Sequence, residues 1–211
     1  MQAGLESNYN QILVPSRAGV IHFKFEFEDE PRKMTPDEFW EFCSQNRKLN
    51  AELTKEGEVI IMPPTGFETS DKNAEITTQL RNWSKIERKG RITDSNGGFV
   101  LPNGAVYAPD ASWTSNERLA RFTSEELKKF LPLCPDFVLE LRSESDSLKT
   151  LQAKMVEYIE NGARLAWLIN PHDKQVEIYR PKSDVEVLEN PAKVSGENIL
   201  EGFELDLKEI W

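Results

Sequence analysis

Two cysteines, Cys43 and Cys134, and two histidines, His22 and His172, are all that 211 residues contain of the side chains that most often hold zinc. None of the four stands at paired metal-ligand spacing, which argues against a structural zinc site and a disulfide-dependent fold. No G-x-S-x-G turn accompanies either histidine, so a Ser-His-Asp arrangement has no support, and both histidines read as surface residues. Also missing is any window of roughly 18 apolar residues, the length a membrane span requires. The first residues, MQAGLESNYNQILVPSR, lack a basic start followed by an apolar core, so a cytoplasmic protein without membrane association is expected. Positive charge is scarce too, with 26 Lys and Arg against 36 Asp and Glu and a net charge of −10. That deficit opposes long-range attraction to nucleic acid or anionic membrane and argues against a nonspecific nucleic-acid coat protein. It is compatible with an enzyme that uses a divalent cation, because hard cations are held by carboxylates.

What is present suits one globular domain with a sizeable core, since 38% of the residues are hydrophobic and 29% charged. In GVIHFKFEFEDE, Ile21, Phe23, Phe25 and Phe27 alternate with His22, Lys24, Glu26 and Glu28, the pattern of a half-buried strand. Residues 1–34 are therefore expected to form an N-terminal arm or edge strand, able to pair with a second subunit in a homodimer, and residues 35–211 a single domain. TPDEFWEFCSQNRKL predicts a helix capped by Thr35 and Glu38 with Pro36 at its first position. GEVIIMPPTG predicts a short strand, and SDKNAEITTQLRNWSKIER a helix with Asn73, Ile76, Leu80 and Trp83 on one face. Asn-Gly and Gly-Gly turns within GRITDSNGGFVLPNGAVYAPDASW predict hairpins, and Thr123 and Glu126 predict another capped helix in FTSEELKKFLP. After it come a strand at 136–142, a helix at 148–160, a strand at 164–170 and KQVEIYR, which closes a hairpin across NPHDK. The fold class is thus α/β or mixed α+β, with a mixed central sheet flanked by helices.

One acidic residue stands out in this pattern. Period two within DFVLELRS places Asp136, Val138, Glu140 and Arg142 on one face of a strand and Phe137, Leu139 and Leu141 on the other. A carboxylate among apolar strand residues needs a partner, a metal or a proton. Read alone, Glu140 pairs with Arg142 as its i+2 neighbour. Asp110, after Pro109 at the end of an apolar strand, is the second candidate. Read alone, Pro-Asp is a turn, whereas convergence with Glu140 would let the two carboxylates share a divalent metal. In SLKTLQAKMVEYIENG, Leu148, Leu151, Met155 and Ile159 form the apolar stripe, with Lys154 at one border and Gln152 at the other. A border lysine is commonly a snorkelling surface residue, yet beside a metal-bound carboxylate it could orient water or stabilise charge on a phosphate.

PD at 109–110, ELR at 140–142, LQAKMVEYIENG and ARLAWLINP together resemble the PD-(D/E)xK nuclease superfamily and, within it, the Uma-two family of bacterial restriction-endonuclease-like proteins. The resemblance spans most of the chain, from GEVIIMPPTG to VEIYR. It implies a restriction-endonuclease-like core and Mg²⁺-dependent hydrolysis of DNA phosphodiesters, with Mn²⁺ as a substitute and Asp110 and Glu140 as the metal ligands. The superfamily lysine would stand two residues after the glutamate, where this chain has Arg142, and a guanidinium stays protonated. In the narrower family the lysine lies on the following helix, where Lys154 occupies the matching place. Lys154 and Tyr158, four apart, can then share one face. Glu75 is the nearest match to the acid that the first core helix sometimes adds, and Gln152 and Tyr158 are supporting candidates. Two alternatives remain: a noncatalytic homodimeric interaction or regulatory protein that retains the fold, and a hydrolase of a small phosphorylated substrate, although no Walker-type loop is present.

Overall fold

The computed structural model describes residues 21–24 and 33–211. The expected alternation at Phe25 and Phe27, like most of the 1–34 segment, lies outside the described residues. β1 (Ile21–Lys24) pairs antiparallel with β3 (Glu58–Met62) at the edge of a five-stranded sheet whose order is β1-β3-β2-β6-β5. The other members are β2 (Asn50–Leu53), β5 (Phe99–Val100) and β6 (Val106–Tyr107). β2 and β3 form a hairpin through Thr54–Gly57, where Gly57 adopts φ +84, a left-handed value suited to glycine.

A second sheet of six strands has the order β11-β10-β9-β8-β7-β4. Its strands are β4 (Gly90–Asp94), β7 (Ala111–Ser115), β8 (Phe137–Leu141), β9 (Leu165–Asn170), β10 (Gln175–Tyr179) and β11 (Glu186–Glu189). β8 and β9 run parallel, joined by helix α4 (Leu148–Glu160), while the other neighbours are antiparallel, so the sheet is mixed. A parallel pair needs such a crossover, and the expected strand, helix and strand between 136 and 170 supply it.

Helices and sheets share three apolar clusters. On one face of the six-stranded sheet, Phe137, Leu139, Leu141 and Trp167 pack beneath Ile76 and Leu80 of α2 (Phe67–Glu87) and beneath Phe203, Leu205 and Leu207. The last three belong to a C-terminal segment that carries the β12 (Lys193–Ser195) and β13 (Glu204–Asp206) hairpin. On the other face Val138, Ala166 and Leu168 meet Met155 and Tyr158 of α4, together with Phe99 and Tyr107 of the five-stranded sheet. Helix α4 therefore lies where the two sheets meet. The third cluster joins Phe39 of α1 (Pro36–Gln45) to Leu53, Val59 and Val106.

Local signals held where side chains close the backbone. Thr35 and Glu38 form the capping box at the start of α1, with Thr35 N–H donating to Glu38 Oε2 at 2.8 Å. The segment expected to be a helix after Thr123 forms the same box but winds only one 3₁₀ turn, Glu126–Lys128. Pro132 biases Leu131 away from helical backbone, and Leu131 instead exchanges hydrogen bonds with Gly98 and Val100. The remaining helix is the short α3 (Asn116–Leu119), capped by Ser115. Both cysteines are free thiols. Among the described residues no helix is long and apolar enough to cross a membrane.

Candidate active site

Three elements bring charged side chains together at one end of the six-stranded sheet. Glu140, four residues into β8, points from the sheet face that α4 covers and is 5% exposed. Its Oε1 accepts a hydrogen bond from the Tyr158 hydroxyl at 2.9 Å and lies 3.0 Å from Lys154 Nζ. The ammonium also reaches Glu52 Oε1, at 2.9 Å, on β2 of the other sheet. Lys154 thus bridges two buried carboxylates across the seam between the sheets. The four-residue spacing expected to align Lys154 and Tyr158 does so: both bond the same oxygen of Glu140.

Asp110 sits just before β7. Its Oδ2 accepts from the backbone N–H of Leu141 at 2.8 Å, the residue after Glu140, and its Oδ1 accepts from Asn73 Nδ2 at 3.1 Å. Asp110 is thereby fixed to the end of β8 from one side and to α2 from the other. Asn73 belongs to the same helical face as Ile76 and Leu80, so the stripe that packs α2 on the sheet also delivers the amide to Asp110.

Removing these carboxylates from water raises their proton affinity. Burial pushes Asp110 up to about 6, although the Leu141 hydrogen bond, the Lys154 charge and the Asn73 hydrogen bond all pull it down. Burial also drives Glu140 well above the ordinary carboxylate range, Lys154 opposing the rise and Asp110 and Glu52 adding to it. For Lys154, burial works against the charged form, but Glu140 and Glu52 outweigh it and hold the ammonium above its ordinary value. Tyr158 is raised by burial and then by Glu140, so it remains a hydrogen-bond donor.

The other candidates lie elsewhere. Arg142 does not pair with Glu140: its Nη1 donates to Asn170 Oδ1 at 3.3 Å and lies 3.7 Å from Asp173 Oδ2. The i+2 ion pair considered for Glu140 is thus replaced by the Lys154 contact. Arg142 is the first residue beyond β8, where the strand alternation no longer fixes its direction. Gln152 donates to Glu177 Oε1 on β10 at 2.8 Å, and Glu177 also accepts from the Tyr179 hydroxyl. Glu75 accepts from Gln79 at 2.9 Å, and Gln79 in turn bonds the backbone of Asp206. Two residues from Asn73 is about 200° around a helix, which accounts for the different surroundings of Glu75. His172 is exposed, with Nε2 3.6 Å from Glu144 Oε1.

Glu52 is the site residue that sequence reasoning missed. Its signal was present: Ala51 and Leu53 flank it in alternation, and TKEGE supplies the turn to the next strand. Tyr107, whose ring lies 5.1 Å below Lys154 Nζ, and Asn73 were likewise not assigned to the site.

The donor set fits a hard cation. Both hydrogen bonds to Glu140 engage Oε1, leaving Oε2 available. Asn73 Oδ1 is buried without a hydrogen-bond partner, and the donation of its Nδ2 to Asp110 fixes which end of the amide is which. Among the described residues no group of three or more His, Cys, Asp or Glu side chains is arranged to hold a metal. Mg²⁺ does not demand one, since it commonly binds through one or two carboxylates and fills its shell with water and phosphate oxygens.

Known proteins place this arrangement in context. No curated protein matches the chain. A crystal structure of "a putative nuclease belonging to DUF820" from Anabaena variabilis ATCC 29413 superposes with a TM-score of 0.70 at 23% sequence identity, covering 84% of this chain and 97% of that one. The fold is thus shared with a solved structure. The family model Uma2, described as "Putative restriction endonuclease", matches residues 36–208, so with most of its length matched the chain belongs to the Uma2 family.

Proposed function

We propose that this protein is a metal-dependent endonuclease that hydrolyses DNA phosphodiester bonds, with Asp110 and Glu140 holding Mg²⁺ or Mn²⁺. The observation that carries the reading is the junction of α4 with β8. Lys154 Nζ lies 3.0 Å from Glu140, while Asp110 is bonded to the next residue's backbone. When bound, the cation would neutralise charge on the scissile phosphate and lower the pKa of a water molecule. Lys154 contributes a fixed positive charge beside the carboxylates, suited to orienting the attacking water or a phosphate oxygen. Glu52 and the Tyr107 ring hold that charge in place, Tyr158 orients Glu140, and Asn73 orients Asp110. Family membership supports the nuclease reading.

Plasmid cleavage in Mg²⁺ or Mn²⁺ tests it. Asp110→Ala and Glu140→Ala should each abolish activity and metal binding, and Lys154→Ala should lower the rate by about 10²-fold or more. Undiminished metal-dependent cleavage by either carboxylate variant rejects the assignment.

A noncatalytic homodimeric protein retaining the fold is the second reading. It is favoured by one feature: Lys154 already compensates Glu140 and Glu52 without a metal. Calorimetry separates the two. Binding of millimolar Mn²⁺ that disappears in Glu140→Gln supports the nuclease, and no binding at all supports the second reading.

A further inference from the structure

Two hollows open beside the site, of about 230 and about 350 Å³. Asn96, Gly98 and Phe130 line both, so the two hollows adjoin as the halves of a trough divided at Phe130. Tyr107 and Ala108 line the smaller half. The Ala108 N–H donates to Glu52 Oε1, the oxygen that holds Lys154, and Asp110 follows two residues later. The larger half is lined by Arg91 and Thr93 of edge strand β4 and by Lys128 and Lys129.

The lining is chemically selective. Among the described residues no Asp or Glu lines either half, whereas Arg47, Arg91, Lys128 and Lys129 all do. Lys128 pairs with Glu125 outside the trough, and among the described residues Arg47, Arg91 and Lys129 pair with no carboxylate. Between these cations stand two aromatic rings, Trp40 and Phe130, packed edge to face with centroids 4.8 Å apart. Gly98 permits this wall: a Cβ there would lie 2.3 Å from the Phe130 ring. Cations interleaved with half-buried aromatics and flanked by amide and hydroxyl groups are what a single nucleic-acid strand requires. Its phosphates need charge, and its unpaired bases need faces to stack on.

We infer that this trough binds a single strand of nucleic acid on its way to the Asp110–Glu140 site, with Arg91 and Lys129 contacting phosphates and Trp40 a base. The inference deepens the nuclease reading and rests on it for the direction of the strand. Fluorescence anisotropy of the full chain tests it, using a labelled single-stranded oligodeoxynucleotide of about 15 nucleotides in EDTA, so that binding is read without cleavage. Replacing both Arg91 and Lys129 by Ala should weaken binding about tenfold at low salt and reduce the slope of log K against log salt by about 1.4. Both side chains are exposed, so the fold should survive. Trp40→Leu should lower affinity with the salt slope unchanged, as loss of stacking predicts. Lys182→Ala with Lys208→Ala, outside the trough, should bind like the parent.

Absence of binding by the parent protein overturns the inference. So do an unaltered affinity and slope in the Arg91 and Lys129 variant, an equal loss in the control pair, or tighter binding of a duplex of the same sequence. Failure of the nuclease reading looks different. Cleavage by Asp110→Ala in Mg²⁺ removes the metal assignment while the anisotropy result stands, and a cleaving parent with an insensitive trough removes only the present inference.

Discussion

Burial raises the Asp110 carboxyl to about 6 even though every hydrogen bond it accepts, and the nearby ammonium, favour the charged form. Because the folded value lies above the ordinary 3.8, stability contributed by this group is complete below that pH and is lost as pH rises through about 6. Asp110→Asn removes the titration. Relative to the parent, the variant should gain on the order of 2 to 3 kcal/mol between about pH 4 and pH 7 in metal-free buffer. Urea denaturation at the two pH values checks this, and a stability difference that does not vary with pH rules out the raised value. Asp110, Glu140 and Lys154 were each legible in the sequence because a charged group in an apolar pattern needs an explanation. Arg142 was not: nothing in its spacing reveals that Asn170 and Asp173, brought in by β9 and the turn after it, accept its guanidinium.

At the scale of elements, α4 connects two sheets through one side chain. Lys154 is 15% exposed and stands between Glu52 on β2 and Glu140 on β8, so its loss strands two buried carboxylates. Lys154→Met should therefore destabilise the fold by about 3–5 kcal/mol, as breaking a buried ion pair does. Adding Glu52→Gln should return part of that, since one stranded charge then remains and the Ala108 N–H keeps an acceptor. Thermal or chemical denaturation of the single and double variants measures both effects, and a single-variant loss under about 1 kcal/mol would mean that the pair is solvated. Helices α1, α2 and α4 and the strands at β3, β8, β9 and β10 follow from periodicity and capping. β5 and β6 have two residues each, too short for a period to register, and the β2–β6 pairing joins segments distant in sequence.

For the molecule as a whole, the face of the large sheet opposite α4 depends on the chain's last residues. Phe203 is 4% exposed, stacks on Trp167 with centroids 6.3 Å apart and lies 5.5 Å from the Trp83 ring. Phe203→Ala should cost about 3–5 kcal/mol through the cavity it leaves, while Mn²⁺ binding by the still-folded protein stays unchanged, because Glu140 and Lys154 lie on the other face and Phe203 meets α2 at Trp83, well along the helix from Asn73. A denaturation midpoint unaffected by the change would mean that this segment does not hold the core. The sequence by itself determined the mixed α+β class, the family, the crossover between β8 and β9, and the carboxylates and lysine to examine, because these reside in local periodicity, caps and motif order. Only the tertiary structure decided that Lys154 bridges to Glu52, that Asn73 holds Asp110, and that Gln152 and Glu75 bond elsewhere. Those partners are set by how two sheets and two helices pack, and contacts between residues as far apart as 52 and 154 leave no trace in the spacing of either segment.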